Sequence, residues 1–321
     1  MRFCRLGNSL AVAAISAFMA AAPIHASYAD DTLSEFKLGG AKGTTSLFPL
    51  IAKEQGFDRR HGLDLEYFMH KQFGTIYTEL LTGANYAATP SPDGLATLAL
   101  QGGPVHIAAT MAQDSTVLLG RGDVIKDEAD LRGKRVAAIV SSGSWKQFQA
   151  RIQERYGLEA GKDYEIINAQ DLAQGVAQVV AGTANFAMGW EPSVTAALNQ
   201  DSSLNIALSS QNLLPEGDVA WQFVVGVRDD VPVEIEDKLV AVLADAVKWM
   251  NENPDKADEI AVKELGYGAG VIKTILVKHR QVFEVRPLDE RSAREIEGQL
   301  QALVKAGGLK SLPGPGFLRT R

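Results

Sequence analysis

The chain alternates between strand-like and helix-like patterns of apolar residues. Residues 63–68 alternate apolar and polar positions, as in a strand with one buried face. The run 135–140 is mostly apolar and predicts a fully buried strand. Capping residues Thr44 to Ser46 precede a helical apolar pattern at 47–55, and Gly56 is expected to end that helix.

The same patterns place strands and helices along the rest of the chain. Such alternation predicts parallel sheets with helices on both faces. Further strands are expected at 35–40, 105–111, 164–167, 186–190 and 223–227, and further helices at 75–81, 95–101, 145–156, 172–181, 233–251, 254–265, 270–279 and 290–306.

The loops that follow the predicted strands are the expected place for a ligand. Ligands of open α/β sheets bind outside the carboxyl ends of the strands. The sequence Ser141-Ser142-Gly143-Ser144 follows the buried strand and opens a helix. Free N–H groups and hydroxyls at such a helix start suit an anion, although a plain helix cap is the other interpretation.

The first 29 residues have the pattern of an export signal. Arg2 and Arg5 precede an apolar run from Leu10 to Ala22, and small residues then lead up to Ala29. A buried N-terminal helix is the alternative. Cleavage after Ala29 would remove Cys4, the only cysteine, so no disulfide or thiolate chemistry is expected of the exported protein.

Composition and charge narrow the classes of function. Hydrophobic residues make up 46% and charged residues 22%, as in ordinary globular proteins, and the formal net charge is −7. An acidic chain without a basic block disfavours nucleic acid or an anionic membrane as partner. No nucleophile elbow, phosphate-binding loop or zinc motif is present, and the histidines are scattered. We expect no catalytic residues, no metal and no cofactor.

Four stretches in register resemble one protein family. The stretches are Pro49 to Glu66, Gly102 to Val105, Asp130 to Ala137 and Val179 to Pro192. Together they are similar to the substrate-binding proteins of ABC importers in the sulfonate, taurine and nitrate group, and the resemblance runs from about residue 35 to about residue 300.

The resemblance implies a type II periplasmic binding protein of two α/β lobes joined by two crossover strands. Residues 30–114 and 224–321 would form the first lobe and 115–223 the second. The protein would be a periplasmic monomer that binds a small organic anion, such as a sulfonate or an aromatic carboxylate. Its partners would be the permease and ATPase subunits of an importer in the inner membrane.

The resemblance and the loop positions together nominate the ligand contacts. Plain helix caps and core packing remain alternatives for most of them, and contacts from Lys42, Lys146 and His70 are left open. The nominated residues are Thr44, Thr45, Phe73, Thr75, Thr89, Pro90, Ser91, Ser142, Gly143, Ser144, Trp145, Trp190, Glu191 and Trp221.

Three other functions stay open at this point. The ligand could be a neutral pyrimidine-like molecule, since the candidate loops contain no arginine. The protein could be a sensor subunit that reports ligand to a membrane receptor. A secreted enzyme is disfavoured. The related pyrimidine synthase of thiamine biosynthesis depends on a cysteine-rich iron motif, and the chain expected after cleavage has no cysteine.

Overall fold

The structure is a computed structural model that describes residues 33–321, apart from the side chain of Phe73. The predicted export signal lies outside the described residues. Within them the chain forms ten strands: β1 Ser34–Ala41, β2 Leu63–His70, β3 Ala87–Ala88, β4 Val105–Gln113, β5 Val117–Gly120, β6 Arg135–Ala138, β7 Glu165–Asn168, β8 Phe186–Gly189, β9 Asn205–Ser209 and β10 Trp221–Arg228.

Twelve α-helices accompany these strands in the described part of the chain. Short 3₁₀ turns lie at Thr44–Ser46 and Ser210–Leu213, and a π-helical turn at Ala261–Leu265. The α-helices are α1 Leu47–Gln55, α2 Phe57–Arg60, α3 Phe73–Thr82, α4 Pro92–Leu100, α5 Glu128–Leu131, α6 Gly143–Tyr156, α7 Leu172–Val180, α8 Ser193–Gln200, α9 Val233–Glu252, α10 Pro254–Ile260, α11 Val271–Val277 and α12 Glu290–Lys305.

The strands form two separate sheets of five. The first has the order β2-β1-β3-β10-β4, and the second has the order β7-β6-β8-β5-β9. In the first sheet β1 runs parallel to β2 and β3, with Leu38 opposite both Tyr67 and Ala87. In the second sheet β6 runs parallel to β7 and β8. Each sheet and its helices form one lobe.

The expectation of purely parallel sheets is wrong in one respect. Strand β10 runs antiparallel to β3 and β4, and β5 runs antiparallel to β8 and β9. Each of these strands enters its sheet from the other lobe, so no local crossover helix fixes its direction. The local sequence pattern does not indicate that a strand comes from the other lobe or which direction it takes in the sheet.

Apolar residues fill both faces of each sheet. In the first lobe, Phe36, Leu38 and Leu65 pack with the helices α1 and α9, whose Ile51 and Leu243 are fully buried. The opposite face is covered by α4 and α12. The buried runs of the strands explain why the patterns of the sequence predicted most elements.

Two segments join the lobes, residues 114–116 and 214–220. They lie side by side, because Asp114 N–H donates to the carbonyl of Ala220 at 2.8 Å. The lobe boundaries implied by the resemblance stay a prediction. Strand β10 of the first sheet begins at Trp221, ahead of the expected boundary at 224.

A buried ion pair fixes α6 to the joining segments. Arg151 lies 2.5 Å from Asp114, and both side chains are almost wholly buried. Ser210 donates to the same carboxylate at 2.6 Å, and Thr116 to its other oxygen at 2.6 Å. Burial alone would raise the pKa of Asp114, but the charge of Arg151 and these hydrogen bonds outweigh it and lower that pKa.

None of the helices in residues 33–321 combines the length and hydropathy that a membrane-crossing segment requires.

Replacing Arg151 tests how much the joining segments depend on this pair. Arg151→Met keeps the aliphatic stem but leaves the Asp114 carboxylate buried without its cation. We expect the free energy of unfolding at pH 7 to fall by about 3–5 kcal/mol, measured by denaturant titration. The exposed Arg155, one turn further along α6, is the matched control, and Arg155→Met should change the free energy by less than about 0.5 kcal/mol.

The pH dependence of the free energy of unfolding tests whether the ionised carboxylate of Asp114 is the stabilising group. Because the pKa of Asp114 is lower in the folded chain, its stabilisation is fully present above about pH 4, the unfolded value. It is lost as the pH falls through the folded-state pKa. The difference between wild type and Asp114→Asn should therefore shrink on acidification, and a difference that stayed constant would contradict the assignment.

Candidate ligand-binding site

A cavity of about 350 Å³ lies between the two lobes. The first lobe and the start of β10 line one side, and the loop after β6, the start of α6 and the end of β8 line the other. The lining residues are Tyr77, Ser91, Asp93, Gly94, Ser141, Ser142, Gly143, Ser144, Gln147, Trp190, Gln222 and Phe223.

The wall from the second lobe is the N-terminus of α6. Ser142 is its N-cap, and its Oγ accepts the N–H of Trp145 at 3.1 Å. Strand β6 leads the chain to this point, and Trp145 in the first turn is buried in the core behind the wall. The N–H groups of the first turn leave a partial positive charge there, as at any helix start.

The wall from the first lobe is the N-terminus of α4. Ser91 caps it by accepting the N–H of Gly94, and Pro92 is the first helical residue. The hydroxyl of Tyr77 lies 3.4 Å from Ser91 Oγ. Burial, with a smaller contribution from the charge of Asp93, raises the pKa of Tyr77 to about 12, so the phenol stays protonated at neutral pH.

Gln222 presents an oriented amide to the cavity. Its Oε1 accepts the Ser115 hydroxyl at 3.0 Å and the Ser115 N–H at 3.4 Å. Gln281 donates to the same oxygen at 2.9 Å and accepts from Thr44 at 2.9 Å. A backbone N–H can only donate, so Oε1 is the accepting end of Gln222 and its Nε2 is the donor left for a ligand.

Asp93 connects the two walls. Its Oδ1 accepts the side-chain amide of Gln147, one turn into α6, at 2.7 Å. Gln299 of α12 in turn donates to Gln147 Oε1 at 2.5 Å. Oδ2 of Asp93 lies against Gly143, where an added β-carbon would lie 2.6 Å from that oxygen. Glycine at 143 is therefore needed for this approach.

Five of the residues nominated from the sequence line the cavity. Ser91 comes from the first lobe, and Ser142, Gly143, Ser144 and Trp190 come from the second. Trp190 is partly buried against the core of the second lobe and exposes the rest of its ring to the cavity. Their contact with a ligand stays a prediction.

The other nominated residues do not line the cavity. Trp145 and Trp221 are buried in the cores of their lobes. The carbonyl of Pro90 accepts the N–H of Val224, and Thr75 is exposed at the start of α3. The described structure does not include the side chain of Phe73, and the remaining nominated residues that lie away from the cavity are Thr44, Thr45, Thr89 and Glu191.

Two of these residues have identified structural partners. Thr44 donates to Gln281, which donates to Gln222, so Gln281 separates Thr44 from the lining of the cavity. Glu191 accepts the N–H and hydroxyl of Thr195, both at 3.0 Å, and so caps α8. Burial raises the pKa of Glu191, while the hydrogen bonds of Thr195 and the charge of Arg280 oppose that rise.

Thr89 is a different case. It is 1% exposed, and within the described part of the chain its hydroxyl has no hydrogen-bond partner. The hydroxyl lies close to Gly40 at the end of β1, beside Tyr67. Buried polar groups are seldom unpaired, so Thr89 keeps its place among the candidates.

The sequence interpretation missed half of the lining. Asp93 has the sequence context of a first helical turn, where an acidic residue interacts favourably with the helix dipole. Gln147 lies four residues after Gly143, and that spacing on one helix face was the available signal. No local pattern marks the cavity role of the remaining missed residues, which are Tyr77, Gly94, Gln222 and Phe223.

A glycine pair tests the contact between the walls. We expect Gly143→Ala to lower the free energy of unfolding by about 1 kcal/mol, because the new methyl group displaces the Asp93 carboxylate. Gly74→Ala is the matched control, since Gly74 also lies in a first helical turn and its β-carbon would meet no described atom within 4 Å. The measurement is thermal unfolding of both variants in the wild-type and Asp93→Ser backgrounds. A cost of Gly143→Ala that persisted without the carboxylate would refute the contact.

Solved structures with the same fold include periplasmic binding proteins. The periplasmic aliphatic sulphonate binding protein SsuA from Escherichia coli matches with a TM-score of 0.73 at 15% identity, over 90% of this chain and 92% of its own. The alkanesulfonate-binding protein SsuA from Xanthomonas axonopodis pv. citri, bound to MOPS, matches with a TM-score of 0.67 at 17% identity, over 88% of this chain and 97% of its own. The periplasmic nitrate-binding protein NrtA from Synechocystis PCC 6803 matches with a TM-score of 0.62 at 19% identity, over 87% of this chain and 83% of its own.

These likenesses confirm the predicted two-lobe fold of a type II periplasmic binding protein. At the level of sequence, no curated protein matches the chain. The family model described as NMT1/THI5 like does match, over residues 44–257, which is more than half of the chain. This protein therefore belongs to the NMT1/THI5-like family.

Proposed function

We propose that this protein is the extracytoplasmic solute-binding component of an ABC importer. It would bind a small organic solute between its lobes in the periplasm and deliver it to the permease and ATPase subunits of an inner-membrane transporter. The observation that carries the proposal is the cavity of about 350 Å³ with walls from both lobes. A ligand placed there contacts both lobes at once and favours the closed arrangement.

The lining supports binding rather than bond making. The rings of Tyr77, Trp190 and Phe223 offer flat apolar surface, while Gln222 and the serine hydroxyls offer hydrogen bonds. Such a mixture of aromatic walls and a few oriented polar groups is typical of sites for small organic molecules. The function therefore requires no catalytic residue.

The sequence left two ligand classes open. A small sulfonate or aromatic carboxylate would use the N–H groups and hydroxyls at the start of α6. A neutral pyrimidine-like ring would stack on the aromatic side chains and accept from Gln222. Both are classes of small organic solute, and a cavity of about 350 Å³ is within the usual range for such ligands, so the protein should be tested against both.

The ligand panel is the direct test. We expect one chemical class among taurine, alkyl and aromatic sulfonates, nitrate, aromatic carboxylates and pyrimidines to raise the melting temperature of the purified protein. The bound compound should be recovered unchanged, and deletion of the gene should abolish its uptake. Turnover of the compound, or binding with normal uptake after deletion, would contradict the proposal in favour of an enzyme or a sensor.

Trp190 tests the place of binding. Trp190→Ala should weaken the affinity for the solute found in the panel by about 2- to 10-fold, since an aromatic contact contributes about 0.5–1.5 kcal/mol. The conservative variant Trp190→Phe should restore most of that loss. Isothermal titration of the three proteins gives the dissociation constants, and equal values would remove Trp190 from the site.

A further inference from the structure

Asp93 is the only charged side chain among the described residues that line the cavity. The basic residues considered from the sequence are elsewhere, since Lys42 and Lys146 are exposed and outside the lining. A ligand in the cavity therefore meets one formal charge, and it is negative.

The carboxylate of Asp93 lies where the cleft would otherwise attract an anion. It is in the first turn of α4, and its Oδ2 lies against Gly143, the first residue of α6. The N-termini of two helices thus meet at one carboxylate. Their partial positive charges favour an anion, and the chain itself supplies that anion.

The carboxylate also keeps unused hydrogen-bonding capacity. Its one hydrogen bond from a described side chain comes from Gln147 to Oδ1. No ion pair within 4.0 Å reaches Asp93 in residues 33–321. An ionised carboxylate accepts about four hydrogen bonds, so Oδ2 remains able to accept from a ligand.

We infer that Asp93 determines the charge specificity of the cavity, selecting solutes that present N–H donors or a positive charge and rejecting organic anions. The inference rests on the proposed function, since it concerns the same site. The helix start of α6, which from sequence alone suggested an anion site, is neutralised from the opposite lobe. An anionic ligand would have to displace Asp93 or lie beside it.

Three aromatic probes test this selection. Benzamidine is a cation, and benzoate and benzenesulfonate are anions. Titration calorimetry of the wild type should give a benzamidine affinity at least ten-fold higher than that of either anion. Asp93→Asn keeps an acceptor for Gln147 but removes the charge, and it should reduce this ratio at least ten-fold. Asp123→Asn, at an exposed site in the second lobe, changes the net charge equally and should leave the ratio unchanged.

The outcomes separate this inference from the proposed function. Preference of the wild type for either anion, an unchanged ratio in Asp93→Asn, or no binding of any probe at millimolar concentration would overturn the charge selection. None of these results would affect solute binding and uptake, which the ligand panel and gene deletion measure. If Asp93→Asn does not fold, Asp93→Ser takes its place, and a benzamidine-to-anion affinity ratio that stayed at the wild-type value in that variant would equally overturn the inference.

Discussion

The ion pair between Asp114 and Arg151 is the interaction on which the geometry of the cleft depends. It holds α6 against the segments that join the lobes, in a place from which water is almost excluded. Gly143, Gln147 and Arg151 are spaced four residues apart and so lie close to one face of the helix. Because Arg151 is fixed at the joining segments, Gln147 lies beside Asp93, and Gly143 lies against the same carboxylate.

The cavity is supported by residues from distant parts of the chain. Gln222 is oriented by Ser115 of one joining segment and by Gln281, which Thr44 supports in turn. Each member of this chain of hydrogen bonds has a partner, so the amide of Gln222 needs no reordering when a ligand arrives. Groups fixed in advance lose little conformational entropy on binding.

The electrostatics of the cleft differ from those suggested by its loops. Taken alone, the start of α6 is a place for an anion. In the folded protein, the carboxylate of Asp93 from the opposite lobe lies at that place. The same contact joins the lobes and supplies the one formal charge among the described residues that line the cavity.

The local features of this protein are encoded in short stretches of its sequence. The buried strand at β6, the cap at Ser142 and the start of α6 are encoded within about ten neighbouring residues. The glycine that ends α1 and the Ser91 cap of α4 are also local features. These features fixed the order of elements, and with them the resemblance that indicated the two-lobe fold. Hydrophobic period and capping act over short range, which explains why they could be read directly.

Long-range packing brings the loops together and selects the residues that line the cavity. Strand β3 has only two residues, too few for a local pattern. The pattern at 223–227 predicted a strand within β10, but it did not indicate that this strand joins its sheet antiparallel, from the other lobe. Asp93 has the sequence context of an ordinary first helical turn. Its contacts with Gly143 and Gln147 form across the cleft, at a place set by the joining segments. Such contacts between remote residues depend on the packing of the whole chain.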